Sequence, residues 1–588
     1  MKTQARLIIL YRIILGIIFL VLLIVLFTLQ IIKGERYKEI AERNYVRIRR
    51  INAARGVIYD EKLNPIAVNN PSINLYFRPF LIKDKEKMAD FVANNLPVEK
   101  KTVEKLIHDN RFRSFNEILI YENIDYNKMV TISENLNYYP ELFFKVETMR
   151  SYTLPNHFSG YVGRINEKEY NKLKEEEYSI NSVIGKTGIE KYYERILAGK
   201  PGYEVIQVDA YGRNLNIFKD NLNKKPENGL HLVLNINLDL QRYIGTIYPR
   251  EYAGAIVVMN PKTGGILAYS SFPEYEQNWF ASRITTEQWI SLRDNPQKPM
   301  LDRVINGTYP PGSTFKAVTG SFGLEKKLIN QETLLASCVG GLQIGNRFFK
   351  CWFHGGHGRT NILSALKVSC DVFFYDLSKF FKLDEFKDFV QANYLIDRTG
   401  VDIPYERKGF FPDTKWYAKR LGKYFSLQGR KANLSIGQGE VLMTPLQLCA
   451  YYAAIANDGI WKKPHLLKKA IGHKSLSYEE IEGPVDKKLP VSPQNLKIIQ
   501  EGLWQVCNAP GGTGGGARVP GVKVYGKTGS AENAHGGQTH AWFACYATWD
   551  EPELAVVVFM ENAGHGGSMS APIAGKIISY YNLNVRNK

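Results

Sequence analysis

No charged residue interrupts the stretch from Ile13 to Leu29, and its apolar character carries on to Ile32. About 20 such residues are enough for a helix to cross the hydrocarbon core of a bilayer. The chain has no second run of that length, so it can cross a membrane once and everything after the run must fold in water on one side. The run is long for a cleaved leader, and Gln30-Ile31-Ile32-Lys33-Gly34-Glu35 offers no small-x-small cleavage site. The expectation is an uncleaved helix over residues 7–32 behind a cytoplasmic tail of residues 1–6.

Charge alone argues against export. Lys2, Arg6 and Arg12 precede the run, while Lys33, Arg36, Lys38, Arg43, Arg47, Arg49 and Arg50 follow it. The positive-inside rule, counted literally, would leave the body in the cytoplasm, but long domains translocate largely regardless of charge. The chemistry of the body therefore decides the compartment. With 588 residues, 44% hydrophobic and 23% charged, that body is globular and holds more than one domain. The net charge of +18 suits an anionic membrane surface or wall polymer. No nucleic-acid module and no block of lysines and arginines accompanies it, so nucleic acid is not an expected partner.

Residues 33–53 are charged and read as a helical stalk. Arg55-Gly56-Val57-Ile58-Tyr59-Asp60 and Asn64-Pro65-Ile66-Ala67-Val68-Asn69 read as a strand, a turn and a strand. Residues 82–150 alternate amphipathic and short apolar stretches, as in a small α+β insertion. Gly185-Lys186-Thr187-Gly188-Ile189-Glu190 opens a helical segment. Val205–Val208 with Gly212-Arg213 reads as strand and turn, and Asn221–Asn228 as a linker. From about residue 230, a strand (Leu230–Leu234), a helix (Leu238–Tyr248) and an apolar hairpin (Gly254–Met259, Ile266–Tyr269) begin an α+β domain with an antiparallel sheet flanked by helices.

Three short motifs in that second domain carry chemistry. In Tyr309-Pro310-Pro311-Gly312-Ser313-Thr314-Phe315-Lys316 the prolines and glycine end the preceding structure, so Ser313 stands at a helix start with Lys316 one turn on. Residues at i and i+3 share a helix face, so a lysine can take the proton that keeps a serine hydroxyl a poor nucleophile. Ser369-Cys370-Asp371 is the second motif, and Lys527-Thr528-Gly529, at the end of the alternating Val522–Tyr525 strand, is the third. Ser-x-x-Lys, a Ser-x-Asn-type triplet and Lys-Thr-Gly together form the signature of serine acyl-transfer enzymes that react with penicillin. The earlier Lys186-Thr187-Gly188 opens a helix and is read as structural. Gly521 to Thr528 also matches the phosphate-loop pattern, but there the strand lies inside the would-be loop and no helix follows.

On these residues the chain resembles the class B penicillin-binding proteins, the membrane-anchored D,D-transpeptidases of peptidoglycan synthesis, nearly end to end. Arg55–Asp60 and Gly185–Glu190 look like the two pedestal motifs, and Ser435-Ile436-Gly437-Gln438-Gly439-Glu440 is similar to a further transpeptidase landmark. The resemblance implies a non-catalytic, elongated pedestal over residues 33–229, with an inserted head at about 82–150, and a penicillin-binding, serine β-lactamase-like transpeptidase domain over 230–588. It implies that Ser313 is the nucleophile, Lys316 the base, and Ser369 a proton relay. Lys527 and Thr528, with Gly529 and Ser530, would bind the terminal carboxylate of a stem peptide or β-lactam. The backbone N–H groups of Ser313 and Ser530 would form the oxyanion hole. Asp371 departs from the commoner asparagine and, as in the elongation-type branch, leaves open whether this position donates as well as accepts. No glycosyltransferase domain fits in residues 33–230, so the resemblance also implies a RodA-type membrane glycosyltransferase and an elongation complex as partners. The body would lie on the extracytoplasmic side of the inner membrane. A septal role, a D,D-carboxypeptidase or β-lactamase, and a penicillin sensor are the alternatives.

Of six cysteines, three cluster with two histidines between the first two motifs: Cys338, Cys351, His354, His357 and Cys370. Three thiolates and one imidazole make a four-coordinate structural zinc site. By resemblance to elongation-type members, His357 and Cys370 match metal-holding positions, and Cys338 and Cys351 would replace carboxylates. A Cys338–Cys351 disulfide or free buried thiols remain open, as does a Cys507–Cys545 pair. Cys449 reads as core, and no organic cofactor is expected. His535, His540 and His565 are read as loop or packing residues, and Trp542 and Phe543 as strand core.

Overall fold

The structure is a computed structural model that describes residues 2–38, 46–110, 117–179, 182–208, 214–217, 223–282, 284–422, 426–483, 486–533 and 536–586. Gly212, Arg213 and His535, singled out above, lie outside the described residues. A helix, α1 (Lys2–Phe27), continues as a π-helical turn, Thr28–Ile32. Together they give a 29-residue apolar span from Gln4 to Ile32 with its side chains exposed.

Among the described residues of the expected stalk, 34–38 are helical. Residues 46–51 instead form a strand, pairing antiparallel with Gly202–Val208 from Val46↔Gln207 to Ile51↔Gly202. In Val46-Arg47-Ile48-Arg49 apolar and basic residues alternate with period 2, and this local pattern outweighs the helix-friendly charge content. The expected linker also takes part in pairing, with Lys224 and Tyr203 exchanging backbone hydrogen bonds.

The described residues form two compact units. One comprises residues 1–54, 72–147 and 199–229; the other comprises 55–71, 148–198 and 230–588. In the first, helices Lys85–Asn95 and Lys100–Asp109 close a small core of Leu75, Phe77, Met88, Val92, Val103 and Ile107.

The second unit is built on a five-stranded antiparallel sheet. Its strands are β1 (Gly254–Met259), β2 (Ile266–Phe272), β3 (Lys523–Ala531), β4 (His540–Thr548) and β5 (Pro552–Met560), in the order 2-1-5-4-3. Successive side chains of a strand point to opposite faces. Ala255, Val257, Met259, Trp542, Ala544, Val557 and Phe559 enter one core, while Ile256, Val258, Phe543, Cys545, Val556 and Val558 enter the other. Helices cover both faces, which is why these strands read as unbroken apolar runs. The expected strand core at Trp542 and Phe543 is thus split between the two faces.

The two pedestal-like motifs fold into this second unit and meet in a buried ion cluster. Arg55 Nε donates to Glu190 Oε2 and its Nη2 to Glu194 Oε2, both at 2.7 Å; Arg150 Nε donates to Glu190 Oε1 at 2.6 Å. Burial alone would raise the Glu190 carboxyl, but Arg150 and Arg55 overcome it and hold the group below its ordinary value. Gly56 is required beside Arg55, because a Cβ there would stand 1.8 Å from the Leu230 carbonyl oxygen. The first Lys-Thr-Gly sits in the same unit, where Lys186 is ion-paired with Glu169.

Candidate active site

Pro311 leads into a 3₁₀ turn, Gly312–Phe315, that runs directly into helix α2 (Lys316–Glu325). Gly312 has φ +55°, a conformation that residues with a Cβ avoid, and its N–H is held by the Gly437 carbonyl at 2.9 Å. Thr314 is fixed on both sides: its hydroxyl donates to Pro311 O at 2.7 Å, and its carbonyl accepts from the Tyr452 hydroxyl at 2.9 Å. Ser313 is left half-buried at the corner, and Lys316 is fully buried one turn later.

The Lys316 ammonium reaches into the second motif. It donates to Asp371 Oδ1 at 2.7 Å, to the Ser369 carbonyl at 2.9 Å and to Ser369 Oγ at 3.2 Å. Among the described residues it makes no hydrogen bond to the Ser313 hydroxyl, because the Asp371 charge competes for its protons. Ser369 stands before helix α3 (Asp371–Leu377) with φ +56°, a strained conformation for serine that sets its carbonyl and hydroxyl toward the same ammonium. Asp371 Oδ2 accepts from the Trp352 backbone N–H at 3.0 Å, so both carboxylate oxygens of this residue serve as acceptors.

Lys-Thr-Gly lies in the middle of β3, not at a strand end, since pairing with β4 continues through Ala531↔His540. Among the described residues the next element is β4, not a helix, so the phosphate-loop pattern has neither its loop nor its helix. β3 is the end strand of the sheet, and Ser530 shows what its free edge faces. The Ser530 carbonyl accepts from Gln438 Nε2 at 3.2 Å and lies 3.0 Å from where a Gly312 Cβ would stand. A strand residue points its N–H and C=O to the same side, so the Ser530 N–H also faces the Ser313 turn. Gly529 permits this approach, as a Cβ there would stand 3.0 Å from Pro311 O.

Lys527 is fully buried, and among the described residues its ammonium donates only to the neighbouring Thr528 carbonyl, at 3.2 Å. Burial, and then the Lys316 charge, hold it well below the ordinary lysine value. Thr528 Oγ1 is bonded to Thr513 Oγ1 at 2.9 Å, and Ser530 Oγ lies 3.4 Å from His565 Nδ1. Thr513 and Gln438 are neighbours of the site not singled out as such from the sequence; their surrounding glycines (511–516, 437 and 439) were the available signal. His565, read as a loop residue, borders the site through Ser530. His540 accepts from the Asn562 N–H and packs against Tyr309.

Cys338, Cys351, His357 and Cys370 converge, with their ligand atoms all within 4.8 Å of one another; His354 is not among them. His357 Nδ1 is 3.7 Å from Cys338 Sγ and 3.5 Å from Cys351 Sγ. A tetrahedral zinc with sulfur bonds of about 2.3 Å and a nitrogen bond of about 2.0 Å has S···N edges of about 3.5 Å, so the residues fit the ion. A hydrogen bond from the Cys370 thiol lowers Cys351 to about 5, and the same bond raises Cys370. All six cysteines are free, so neither Cys338–Cys351 nor Cys507–Cys545 is bridged. Cys449 lies buried in the helix Pro445–Ala456, as expected for core.

Residues 254–579 match the penicillin binding protein transpeptidase domain, and residues 50–234 match the penicillin-binding protein dimerisation domain. The chain is 31% identical over 584 residues to the peptidoglycan D,D-transpeptidase MrdA of Acinetobacter baumannii, covering 94% of this chain and 84% of that protein. It superposes on Helicobacter pylori PBP2, solved in complex with MreC, with a TM-score of 0.80 at 27% identity, covering 92% of this chain and 99% of the other. It also superposes on a chain from a peptidoglycan synthase complex that coordinates polymerization and crosslinking, with a TM-score of 0.72 at 25% identity and 98% coverage of both.

Proposed function

This chain belongs to the penicillin-binding transpeptidase family and is a serine-type peptidoglycan D,D-transpeptidase; we propose that Ser313 carries the acyl group and that the enzyme works in wall elongation. The observation that carries these roles is the Lys316 ammonium, which joins the Ser313 turn to Ser369 and Asp371 while β3 closes on the same turn from the other side.

Ser313 Oγ attacks the penultimate D-alanine carbonyl of a donor stem peptide. Lys316, with three acceptors around it, takes that proton once one of its own has passed to the Asp371 carboxylate. The N–H groups of Ser313 and Ser530 face the developing oxyanion. Ser369 returns a proton to the leaving D-alanine amine. Lys527, Thr528 and Ser530 receive the terminal carboxylate, whose charge compensates a lysine that burial otherwise disfavours as a cation. An acceptor amine then attacks the ester, the C–O bond to Ser313 breaks, and the hydroxyl is restored.

Cys338, Cys351 and Cys370 through Sγ, and His357 through Nδ1, would hold a zinc ion. With four protein ligands it would supply structural rigidity and no reacting site. Cys370 lies between Ser369 and Asp371, so the cluster would hold both in register.

The Gln4–Ile32 helix anchors the chain in the membrane, and the enzyme acts on the extracytoplasmic side, where its substrate is. A RodA-type glycosyltransferase would supply the glycan strands, and an MreC-like scaffold would bind the chain as it does the Helicobacter relative. The test is muropeptide analysis of strands polymerised by such a partner: cross-linked dimers with the wild-type protein and none with Ser313→Ala. Dimers formed by the variant would overturn the assignment of Ser313.

A further inference from the structure

Trp352 is fastened at two points and still exposes more than half of its surface. Its backbone N–H donates to Asp371 Oδ2 and its indole Nε1 donates to the Val368 carbonyl, each at 3.0 Å. These bonds seat it on the loop that carries Ser369. Yet 55% of Trp352 and 46% of the adjacent Phe353 are exposed, with their ring centroids 5.9 Å apart. A tryptophan that only braced this loop would bury its faces, because most of its stabilising capacity is in that area. Here the bonds hold the edge of the ring, which packs beside Phe353 and the His357 imidazole, its centroid 5.6 Å away, and leaves more than half of the residue exposed.

The chemistry of the site says what comes there. The donor carboxylate belongs to β3, which meets one side of the Ser313 turn. The Ser369 loop meets the turn through Lys316, and that is where the leaving amine receives its proton. By microscopic reversibility the attacking amine gives up its proton along the same route, so it enters beside Ser369. We propose that Trp352, extended by Phe353, is the platform on which the acceptor stem peptide lies while its amine attacks the acyl-Ser313 ester. In that step the N–C bond forms, the C–Oγ bond breaks, and the amine proton passes through Ser369 and Lys316 to Ser313 Oγ. The inference rests on Ser313 being the acyl carrier.

The test uses the full-length protein, with Trp352→Ala and Trp352→Phe beside wild type. Two rates are measured: acylation by fluorescent penicillin, which needs only the donor side, and transfer from a thioester donor to a stem tetrapeptide or to free D-alanine. The Asp371 bond comes from the backbone N–H and survives both substitutions. The expected result is a roughly 3- to 10-fold fall, in W352A, of the ratio of tetrapeptide transfer to penicillin acylation. Transfer to D-alanine should fall less, and W352F should recover most of the loss. Equal falls in acylation and tetrapeptide transfer would show a loop brace and overturn the inference, as would an unchanged ratio. A wild-type protein that takes no penicillin at Ser313 would instead remove the transpeptidase roles on which the inference stands.

Discussion

Lys316 Nζ lies 2.7 Å from Asp371 Oδ1, with the lysine side chain fully buried and the aspartate nearly so. The same aspartate accepts the Trp352 N–H through its other oxygen. One carboxylate thus sets the position of the proposed general base and of the cysteine-bearing loop together.

Replacing Asp371 separates its charge from its shape. Asp371→Asn keeps an acceptor for Lys316 but turns an N–H₂ toward the Trp352 N–H, so acylation by penicillin should fall by no more than about tenfold. Asp371→Leu leaves a buried ammonium without its counter-charge, which costs about 3–5 kcal/mol. Thermal melts and stopped-flow acylation of both variants check this; a leucine variant as stable as wild type would show the pair to be unimportant.

Lys527 links pH to binding. Its folded value lies below the unfolded one of about 10.4. The unfolded chain therefore binds more protons across that window, and stability contributed here is full above the window and declines as pH falls through it. Lys527→Met should raise the melting temperature by about 1–3 °C at neutral pH while abolishing acylation by carboxylate-bearing β-lactams. A bound carboxylate should raise the lysine's value again, so calorimetry in buffers of differing ionisation enthalpy should show proton uptake that is largest at pH values between the folded and unfolded values. Heats independent of buffer would contradict this.

Metal removal bears on the loop. Purified protein should contain one zinc per chain, and chelation should lower the melting temperature by at least about 5 °C and slow acylation about tenfold. Cys338→Ser should do both without the chelator. Metal-free protein that melts and reacts like the native enzyme would exclude a structural zinc.

Acid stability depends on the Arg55–Glu190–Arg150 cluster. Glu190 is held below its ordinary value, so its contribution is present above the unfolded value of about 4.3 and is lost as pH falls through the folded one. Glu190→Gln should cost about 3–5 kcal/mol at pH 7 and flatten the acid limb of the stability curve. Denaturant melts at pH 7 and pH 4 measure both; a variant with the wild-type pH slope would place the acid sensitivity elsewhere.

The site was legible in the sequence where local rules govern it. Pro310-Pro311-Gly312 announces a turn and helix start, and apolar runs announce strands buried on both faces. Contacts between distant segments were not legible. Nothing in Ser313-x-x-Lys316 says that the ammonium will turn to Ser369 and Asp371, because a partner more than 50 residues away made that choice. Lys527-Thr528-Gly529 looked like the end of a strand because glycine and serine carry little strand preference, yet pairing with His540–Thr548 carries the strand on to Ala531. Charge content over residues 33–53 suggested helix, but the two-residue alternation at 46–51 and the partner strand at 202–208 prevailed. The four metal-type ligands are legible from residue type and resemblance, and folding gathers them within 4.8 Å of one another.

On the proposed mechanism Ser313 carries the acyl group with Lys316 as its base. That role is tested most directly by mass spectrometry of proteolysed protein after reaction with benzylpenicillin. One adduct per chain on the peptide containing Ser313 is expected, absent from Ser313→Ala and strongly depleted in Lys316→Ala. An adduct on another residue, or one that persists at full yield in either variant, would contradict it.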